Sequence, residues 1–345
     1  MPFENQLLKW YKKNKRDLPW RKNKDPYQVW ISEVILQQTR ISKGETYYNN
    51  FLKKFPSIEK LASAKEEEVL SSWKGLGYYN RAINLHKSSK IIMTNYGGIF
   101  PNKYEEIIKL KGIGDYTASA ISSICFGQFN PVVDGNVLRF LSRYYGCKHP
   151  IDKSKAQINI KKKGKKLIDN VDNPGDFNQA MMEFGALKCT PFPDCKTCTF
   201  NSSCNAFNEN LVSIIPVKSK KIKLKKRFLN YLVFIDKNNK TIVNQRIKKD
   251  IWFKLNEFPL IESSKEVKRI TELKSFKNYI KLNNLNLENM LAVETVKHKL
   301  SHQMLNITFN KFTVKQDVNL DVNLSELSKY NFPVPISNFI NKMLI

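Results

Sequence analysis

Two carboxylates and a knot of cysteines are the residues of this chain best placed to do chemistry. Glu33 lies in Trp30-Ile31-Ser32-Glu33-Val34-Ile35-Leu36, an acid enclosed by apolar neighbours. Burial there penalises the charged form and raises the pKa. A shift of about 2.7 units, worth about 3.7 kcal/mol, leaves such a group half protonated near neutrality. Asp134 follows the extended run Pro131-Val132-Val133 and precedes Gly135-Asn136-Val137-Leu138, where a helix should begin. An acid at a helix N-cap accepts amide N–H bonds and stays ionised. One protonated and one ionised carboxyl facing the same substrate form the pair that cleaves glycosidic bonds, the first as acid and the second as stabiliser of the cationic sugar. Taken singly, each has a plainer reading: a solvated helix-face charge for Glu33, a simple cap for Asp134.

The pattern Cys189-x5-Cys195-x2-Cys198-x5-Cys204 gathers four thiols in one short, Pro-containing loop. In a reducing compartment such clustering points to a metal site rather than to disulfides. Zinc sites usually offer two Cys-x-x-Cys knuckles across a longer spacer, and this loop has a single knuckle. The spacing therefore favours a [4Fe–4S] cluster over zinc. Cys125 and Cys147 stand in apolar, helical contexts and read as core residues.

A third feature is Leu110-Lys111-Gly112-Ile113-Gly114-Asp115-Tyr116, between two helical patterns. Its glycines allow a tight turn that aims amide N–H groups outward at the start of the next helix, where a phosphate can dock. An ordinary helix-to-helix turn reads the same way.

These groups need scaffolding, and the apolar periodicity supplies it. From Phe3 to about Asn208 apolar residues recur at three and four, with Val29, Ile31, Val34, Ile35 and Leu36 crowding one helix. Ile107, Ile108 and Leu110 precede the Gly-x-Gly turn, and Ala118, Ile121 and Ile124 come after it. Between Glu209 and Arg227 the pattern lapses into a Pro-marked, Lys-dense stretch that reads as a linker. Beyond it the period changes. FLNYLVFI, a DKNNK turn and TIVNQRI are predicted to form a hairpin, and Leu305, Ile307 and Phe309 alternate with polar neighbours as in a strand. The boundaries expected are a helical module at 1–207, a basic linker at 208–226 and an α+β domain at 227–345.

With 41% hydrophobic residues among 345, the chain has ample apolar mass for two cores. Lys and Arg number 58 against 31 Asp and Glu, a net charge of +27 that calls for a polyanionic partner such as nucleic acid. No signal-type run opens the chain and no stretch is apolar enough to span a membrane, so a cytoplasmic location is expected.

Read together, LPWR (Leu18 to Arg21), WISEVILQQTR (Trp30 to Arg40), GLGYYNRAINLH (Gly75 to His86), LKGIGDYTA (Leu110 to Ala118), VDGNVLR (Val133 to Arg139), FNQAMMEFGALKC (Phe177 to Cys189) and the cysteine loop resemble the adenine DNA glycosylase (MutY) family of the endonuclease III superfamily. The resemblance covers nearly all of residues 1 to 207. It implies an all-α helix-hairpin-helix glycosylase module with an iron–sulfur loop, acting on double-stranded DNA as a monomer.

On matched positions, the resemblance implies that Glu33 protonates the adenine ring and Asp134 stabilises the sugar cation. It also implies that Tyr116 hydrogen-bonds Asp134 and that Asn136 organises water or acid. Superfamily lyases carry a Schiff-base Lys where this chain has Tyr116, so a glycosylase without lyase chemistry is implied. Gln38, Leu76 and Tyr78 match residues that wedge into the stack near the lesion, and Lys111, Gly112 and Gly114 match the DNA-binding hairpin. Arg16, Trp20 and Gln179 match the adenine pocket.

More faintly, the C-terminal part resembles the family's Nudix-like α+β domain, which reads 8-oxoguanine opposite the adenine. No intact Nudix box is visible, so nucleotide hydrolysis is not expected. The family's Phe-Ser-His loop stands here as Leu300-Ser301-His302, with Ser301 and His302 implied as lesion contacts, and the first cysteine spacing is five where the family has six. The expected substrate is an adenine mispaired with 8-oxoguanine or guanine. An endonuclease III-like lyase and a non-catalytic DNA-binding scaffold are the competing readings.

Overall fold

Among the described residues, 1–219, 224–315 and 320–343 of a computed structural model, fourteen helices and eight strands are arranged as a helical part and then a strand-containing one. The chain divides into two compact units, Met1–Ser72 with Asn80–Lys220, and Trp73–Tyr79 with Lys221–Ile345.

The first unit carries α1 (Phe3–Asn14), α2 (Pro26–Leu36), α3 (Ile41–Lys54), α4 (Ile58–Ser63), α5 (Glu66–Ser72), α6 (Asn80–Tyr96), α7 (Tyr104–Ile107), α8 (Asp115–Phe126), α9 (Gly135–Tyr144), α10 (Ser154–Ile168), α11 (Pro174–Leu187) and α12 (Asn205–Asn208). Asp25 caps α2 by accepting from the Tyr27 amide, and Pro26 takes the first helical position, where its missing N–H costs nothing. Eight residues of α2 are buried, on every side of the helix, so it is a core element rather than a surface one. By contrast α9 turns one apolar stripe inward. Val137, Phe140 and Leu141 meet Phe177, Met181 and Phe184 of α11 and Phe200 of the cysteine loop. Phe140 and Phe184 rings lie 4.5 Å apart, and truncating either to Ala would cost about 3–5 kcal/mol.

In the second unit β1 (Lys225–Ile235), β5 (Leu260–Ser263), β6 (Leu287–Lys299) and β7 (Gln303–Val314) form one sheet in the order β5-β1-β7-β6. β1 runs parallel to β7, in register from Lys225↔Gln303 to Ile235↔Thr313, and antiparallel to β5. Leu305, Ile307 and Phe309 do alternate inward, with Phe309 stacked 4.1 Å from Phe339 of α14 (Val334–Met343). The other face packs Phe234 and Phe312 on Phe276 of α13 (Lys274–Leu282).

The predicted hairpin after β1 does not form. Asp236 does make the turn, accepting from the Asn238 and Lys240 amides, but β1 is buried on both faces and its two edges are already taken by β5 and β7. The chain beyond that turn gives only the two-residue pieces β2 (Lys240–Thr241), paired with β8 (Val322–Asn323), and β3 (Asn244–Gln245), paired with β4 (Asn256–Glu257).

The expected linker is partly strapped to the helical unit, since Ile151 N–H donates to Val217 O at 3.0 Å and Ser219 N–H to Asp152 at 2.8 Å. Its positions 220–223 lie outside the described residues, as do 316–319 and 344–345 of the C-terminal part. Among the described residues no helix is long and apolar enough to cross a membrane.

Candidate active site

Glu33 is only 8% exposed because its helix, α2, has no wet face to offer it. Burial pushes its carboxyl up to about 7, the charge of Asp134 adds to the rise, and the Tyr116 hydroxyl and Arg21 pull against it. Arg81, itself buried, fixes the end of that helix, donating from Nη1 to the carbonyls of Val34, Ile35 and Gln37 at 2.9, 2.8 and 2.6 Å.

Asp134 is the N-cap of α9, as its sequence context predicts. Oδ1 accepts from the Val137 amide at 2.7 Å and Oδ2 from Asn136 Nδ2 at 2.8 Å. The cap does not decide its acidity alone. Burial raises the carboxyl, and the bonds from Val137 and Asn136 and the charge of Arg139 only partly offset it. Burial thus raises both acids, Glu33 to about 7, and the cap bonds of Asp134 work against its rise.

Tyr116, one residue into α8, stays a hydroxyl, since burial and the two nearby carboxylates drive its pKa far up. It donates to Met182 Sδ at 3.3 Å. The bond to Asp134 that the resemblance assigned to Tyr116 is made by Asn136 instead, because Asn136 sits in the same first turn that Asp134 caps. Asn136 is in turn held by Arg139, whose Nη2 donates to Asn136 Oδ1 at 2.9 Å and to Gly185 O at 2.5 Å while its Nε donates to Cys189 O at 2.7 Å. Gly185 permits this closeness, for a Cβ there would fall 2.7 Å from the Asn136 carbonyl oxygen.

Glu33, Tyr116 and Asp134 line two adjoining cavities of the helical unit. One, of about 700 Å³, is bordered by Gln38, Gly114 and Lys161. The other, of about 290 Å³, also holds Asn136 and all three expected pocket residues, Arg16, Trp20 and Gln179. Arg16 is also engaged within the protein. Its fork clamps Glu183, Nε to Oε1 at 2.8 Å and Nη2 to Oε2 at 2.7 Å, and Arg21 adds a third bond at 2.8 Å. Burial would raise Glu183, but these guanidinium bonds hold its carboxyl at about 2. The only sequence signal for it is an acid inside AMMEFG, far along the chain from the basic LPWR.

In the hairpin, Gly112 takes φ +79°, and a Cβ there would fall 2.7 Å from Asn84 Cβ. Gly114 caps α8, and Lys111 is exposed. Asp115 opens α8 with its carboxylate held by Tyr104 and Lys161.

Gln38 is exposed with φ +57°, and Tyr78 is 47% exposed, but Leu76 is buried. The Leu76 amide closes a turn onto Trp73 O at 3.0 Å, and its side chain is buried in the free protein. Ser301 and His302 form the exposed tip between β6 and β7, and the Ser301 and Tyr78 hydroxyls are hydrogen-bonded.

Cys189, Cys195, Cys198 and Cys204 are all half-buried and share the wall of one small apolar cavity with Phe140, Phe184 and Phe200. Arg143 fastens this loop, donating to Thr190 O at 2.6 Å and Pro191 O at 3.0 Å, with Nη1 3.6 Å from Cys189 Sγ. Among the described residues no group of three or more His, Cys, Asp or Glu side chains is arranged to hold a single metal ion.

Residues 31–166 match the HhH-GPD superfamily base excision DNA repair protein family, and residues 230–342 match the NUDIX domain family. An adenine DNA glycosylase of Buchnera aphidicola subsp. Schizaphis graminum is 34% identical over 350 residues, covering 98% of this chain and 97% of that protein. The chain belongs to the adenine DNA glycosylase family. A second Buchnera aphidicola relative of that name, from subsp. Acyrthosiphon pisum, is 38% identical over 310 residues, 88% of this chain and 85% of that protein. The structure of a thermostable thymine-DNA glycosylase covers 60% of this chain and 95% of its own, with a TM-score of 0.56 at 28% identity. The glycosylase thus has the expected helix-hairpin-helix module and, after it, a Nudix-like domain, and it is a DNA glycosylase of base excision repair.

Proposed function

We propose that this glycosylase removes adenine mispaired with 8-oxoguanine or guanine in duplex DNA, by base flipping and acid-assisted hydrolysis of the N-glycosidic bond, without lyase chemistry. The observation that carries the reading is the sharing of one cavity by Glu33, raised to about 7, and Asp134.

A base inside the duplex cannot reach either carboxyl, so the nucleotide swings out at a cost of a few kcal/mol. Gln38 and Tyr78 are the side chains assigned to fill the gap. The adenine enters the cavity bounded by Trp20 and Gln179, whose rim is set by Arg16 through Glu183. Glu33, about half protonated near neutral pH, gives its proton to a ring nitrogen and makes adenine a neutral leaving group. General acid catalysis supplies about 10²–10⁴-fold, so the Asp134 carboxylate must stabilise the oxocarbenium sugar for much of the rest. Asn136 holds that carboxylate in place. Tyr116 offers no amine for a Schiff base, which leaves water as the nucleophile. Lys111 and the amides at Gly112 and Gly114 are assigned to a strand phosphate. Ser301 and His302 are assigned to the oxidised guanine.

The cysteine loop fits an iron–sulfur cluster. Its donors are four soft thiols around an apolar cavity, and a cluster joins sulfurs that lie too far apart for one ion. Cys189, Cys195, Cys198 and Cys204 would hold a [4Fe–4S] group, which when bound supplies a rigid cross-link. We assign the protein to the cytosol as a monomer, with boundaries near 1–207, 208–226 and 227–345.

Duplexes carrying adenine opposite 8-oxoguanine, adenine opposite guanine, or thymine glycol, incubated and then treated with alkali, test the reading. Cleavage of the first two only after alkali is expected. Release of thymine glycol, or strand cleavage without alkali, would overturn it.

A further inference from the structure

A cavity outside the catalytic cleft opens where the end of α9 meets the first half of α10. It measures about 480 Å³ and is lined by Ser142, Cys147, His149, Lys153, Lys155 and Lys162 among others. Cys147, expected from sequence to be a helical core residue, is half-buried just past α9 and faces this space. Ile158, 57% exposed, lines both this cavity and the larger catalytic one, so the two are neighbours along α10.

Three observations give the cavity its chemistry. Among the described residues Lys153, Lys155 and Lys162 form no ion pair, while the acids near them are engaged elsewhere, Asp152 with the Ser219 amide and Glu209 with Lys148. The N-terminus of the 15-residue α10 adds its partial positive charge. Most telling is Ser142, 0% exposed, whose hydroxyl has no hydrogen-bond partner among the described residues. A buried hydroxyl left unpaired costs about 1–3 kcal/mol, which a ligand acceptor would relieve. With no carboxylate in the lining among the described residues, the cavity suits an anion and not a cation.

We propose that this cavity seats a backbone phosphate of the DNA strand that enters the catalytic cleft, with Ser142 Oγ donating to it and the three ammonium groups neutralising it. The volume exceeds that of one phosphate and leaves room for the sugars on either side. The proposal rests on duplex DNA being the substrate, but its test needs no base removal.

The full-length protein is titrated with undamaged duplex at several salt concentrations. Ser142→Ala should bind about ten-fold more weakly, the value of one hydrogen bond to a charged acceptor. Its thermal stability should be unchanged or higher, since an unpaired buried hydroxyl is removed. Lys153→Ala with Lys162→Ala should make the plot of log K against log salt shallower by about one to two. Lys12→Ala with Lys13→Ala, the same loss of charge on α1, should leave that slope. Duplex should also shield Cys147 from iodoacetamide, read by peptide mass, far better than inorganic phosphate at equal phosphate concentration. Parental binding by Ser142→Ala and the Lys153/Lys162 variant would overturn the proposal. So would equal slope loss in the Lys12/Lys13 variant, or shielding of Cys147 by inorganic phosphate alone. Shielding by duplex in a protein that fails to release adenine would leave this seat standing and reject the excision reading.

Discussion

Asn136 donates from Nδ2 to Asp134 Oδ2 at 2.8 Å, and its other amide atom, Oδ1, is held by Arg139 at 2.9 Å. The side chain therefore cannot rotate without breaking a bond at each end. Arg139 also binds Cys189 O and Gly185 O, so the carboxylate's position is referred to α11 and the cysteine loop. Asn136→Ala removes one charge-assisted bond of about 1.5–3 kcal/mol and leaves the Asp134 cap on Val137 in place. The single-turnover rate of adenine release should fall about 10–150-fold with duplex affinity little changed. A loss confined to affinity would show that Asn136 serves binding and not the reacting centre.

Glu33→Gln separates catalysis from stability. An unfolded chain loses the Glu33 proton near pH 4.5, whereas the folded one keeps it to about pH 7, so folding stability falls as pH rises through that window. The penalty is fully felt above pH 7 and amounts to about 3 kcal/mol. The variant should lose base release, keep DNA binding, and unfold at a higher temperature than the parent at pH 8 but not at pH 4. In the parent, the release rate should decline above about pH 7 as the acid form is lost. A variant no more stable at pH 8 would mean that Glu33 is not desolvated as described.

Much of this site is legible in the sequence because its signals are local. Asp134 as a cap follows from three residues on either side of it, and Glu33's burial follows from an apolar run with no polar face. Glu183 is not legible, since its partners Arg16 and Arg21 lie 167 and 162 residues away, and one acid among apolar residues does not reveal its cation. Strand pairing fails for the same reason. The turn after β1 can be read from Asp236, but the pairing of β1 is decided by β7, some seventy-eight positions along the chain, which no local pattern encodes. The burial of Leu76 is likewise not legible, because matched position says nothing about how a side chain packs.

Glu183 should prove structural. It is buried and held near 2 by two guanidinium groups, so it stabilises the fold at neutral pH, and that contribution is lost as pH falls from about 4.5 towards 2. Glu183→Gln leaves Arg16 and Arg21 facing a neutral amide and should cost about 3–5 kcal/mol at pH 7. Denaturant unfolding at pH 7 and pH 3 measures both effects. The difference between parent and variant should shrink at the lower pH, and a constant difference would place the loss in packing.

Ser301 and His302 should matter for which partner base is tolerated, not for the chemistry. Both are exposed at the β6–β7 tip, where truncation removes no core contact and stability should change by less than about 0.5 kcal/mol. If they read the oxidised guanine, Ser301→Ala with His302→Ala removes hydrogen bonds worth about 1–3 kcal/mol of discrimination. The preference for adenine opposite 8-oxoguanine over adenine opposite guanine should then shrink by about five-fold or more, while the rate with guanine opposite stays near the parent's. Because the Ser301 hydroxyl is bonded to Tyr78, Tyr78→Phe should reproduce part of the loss if that bond orients Ser301. Unchanged preference in all these variants would remove the tip from lesion reading and leave the choice of substrate to the cavity around Glu33 and Asp134.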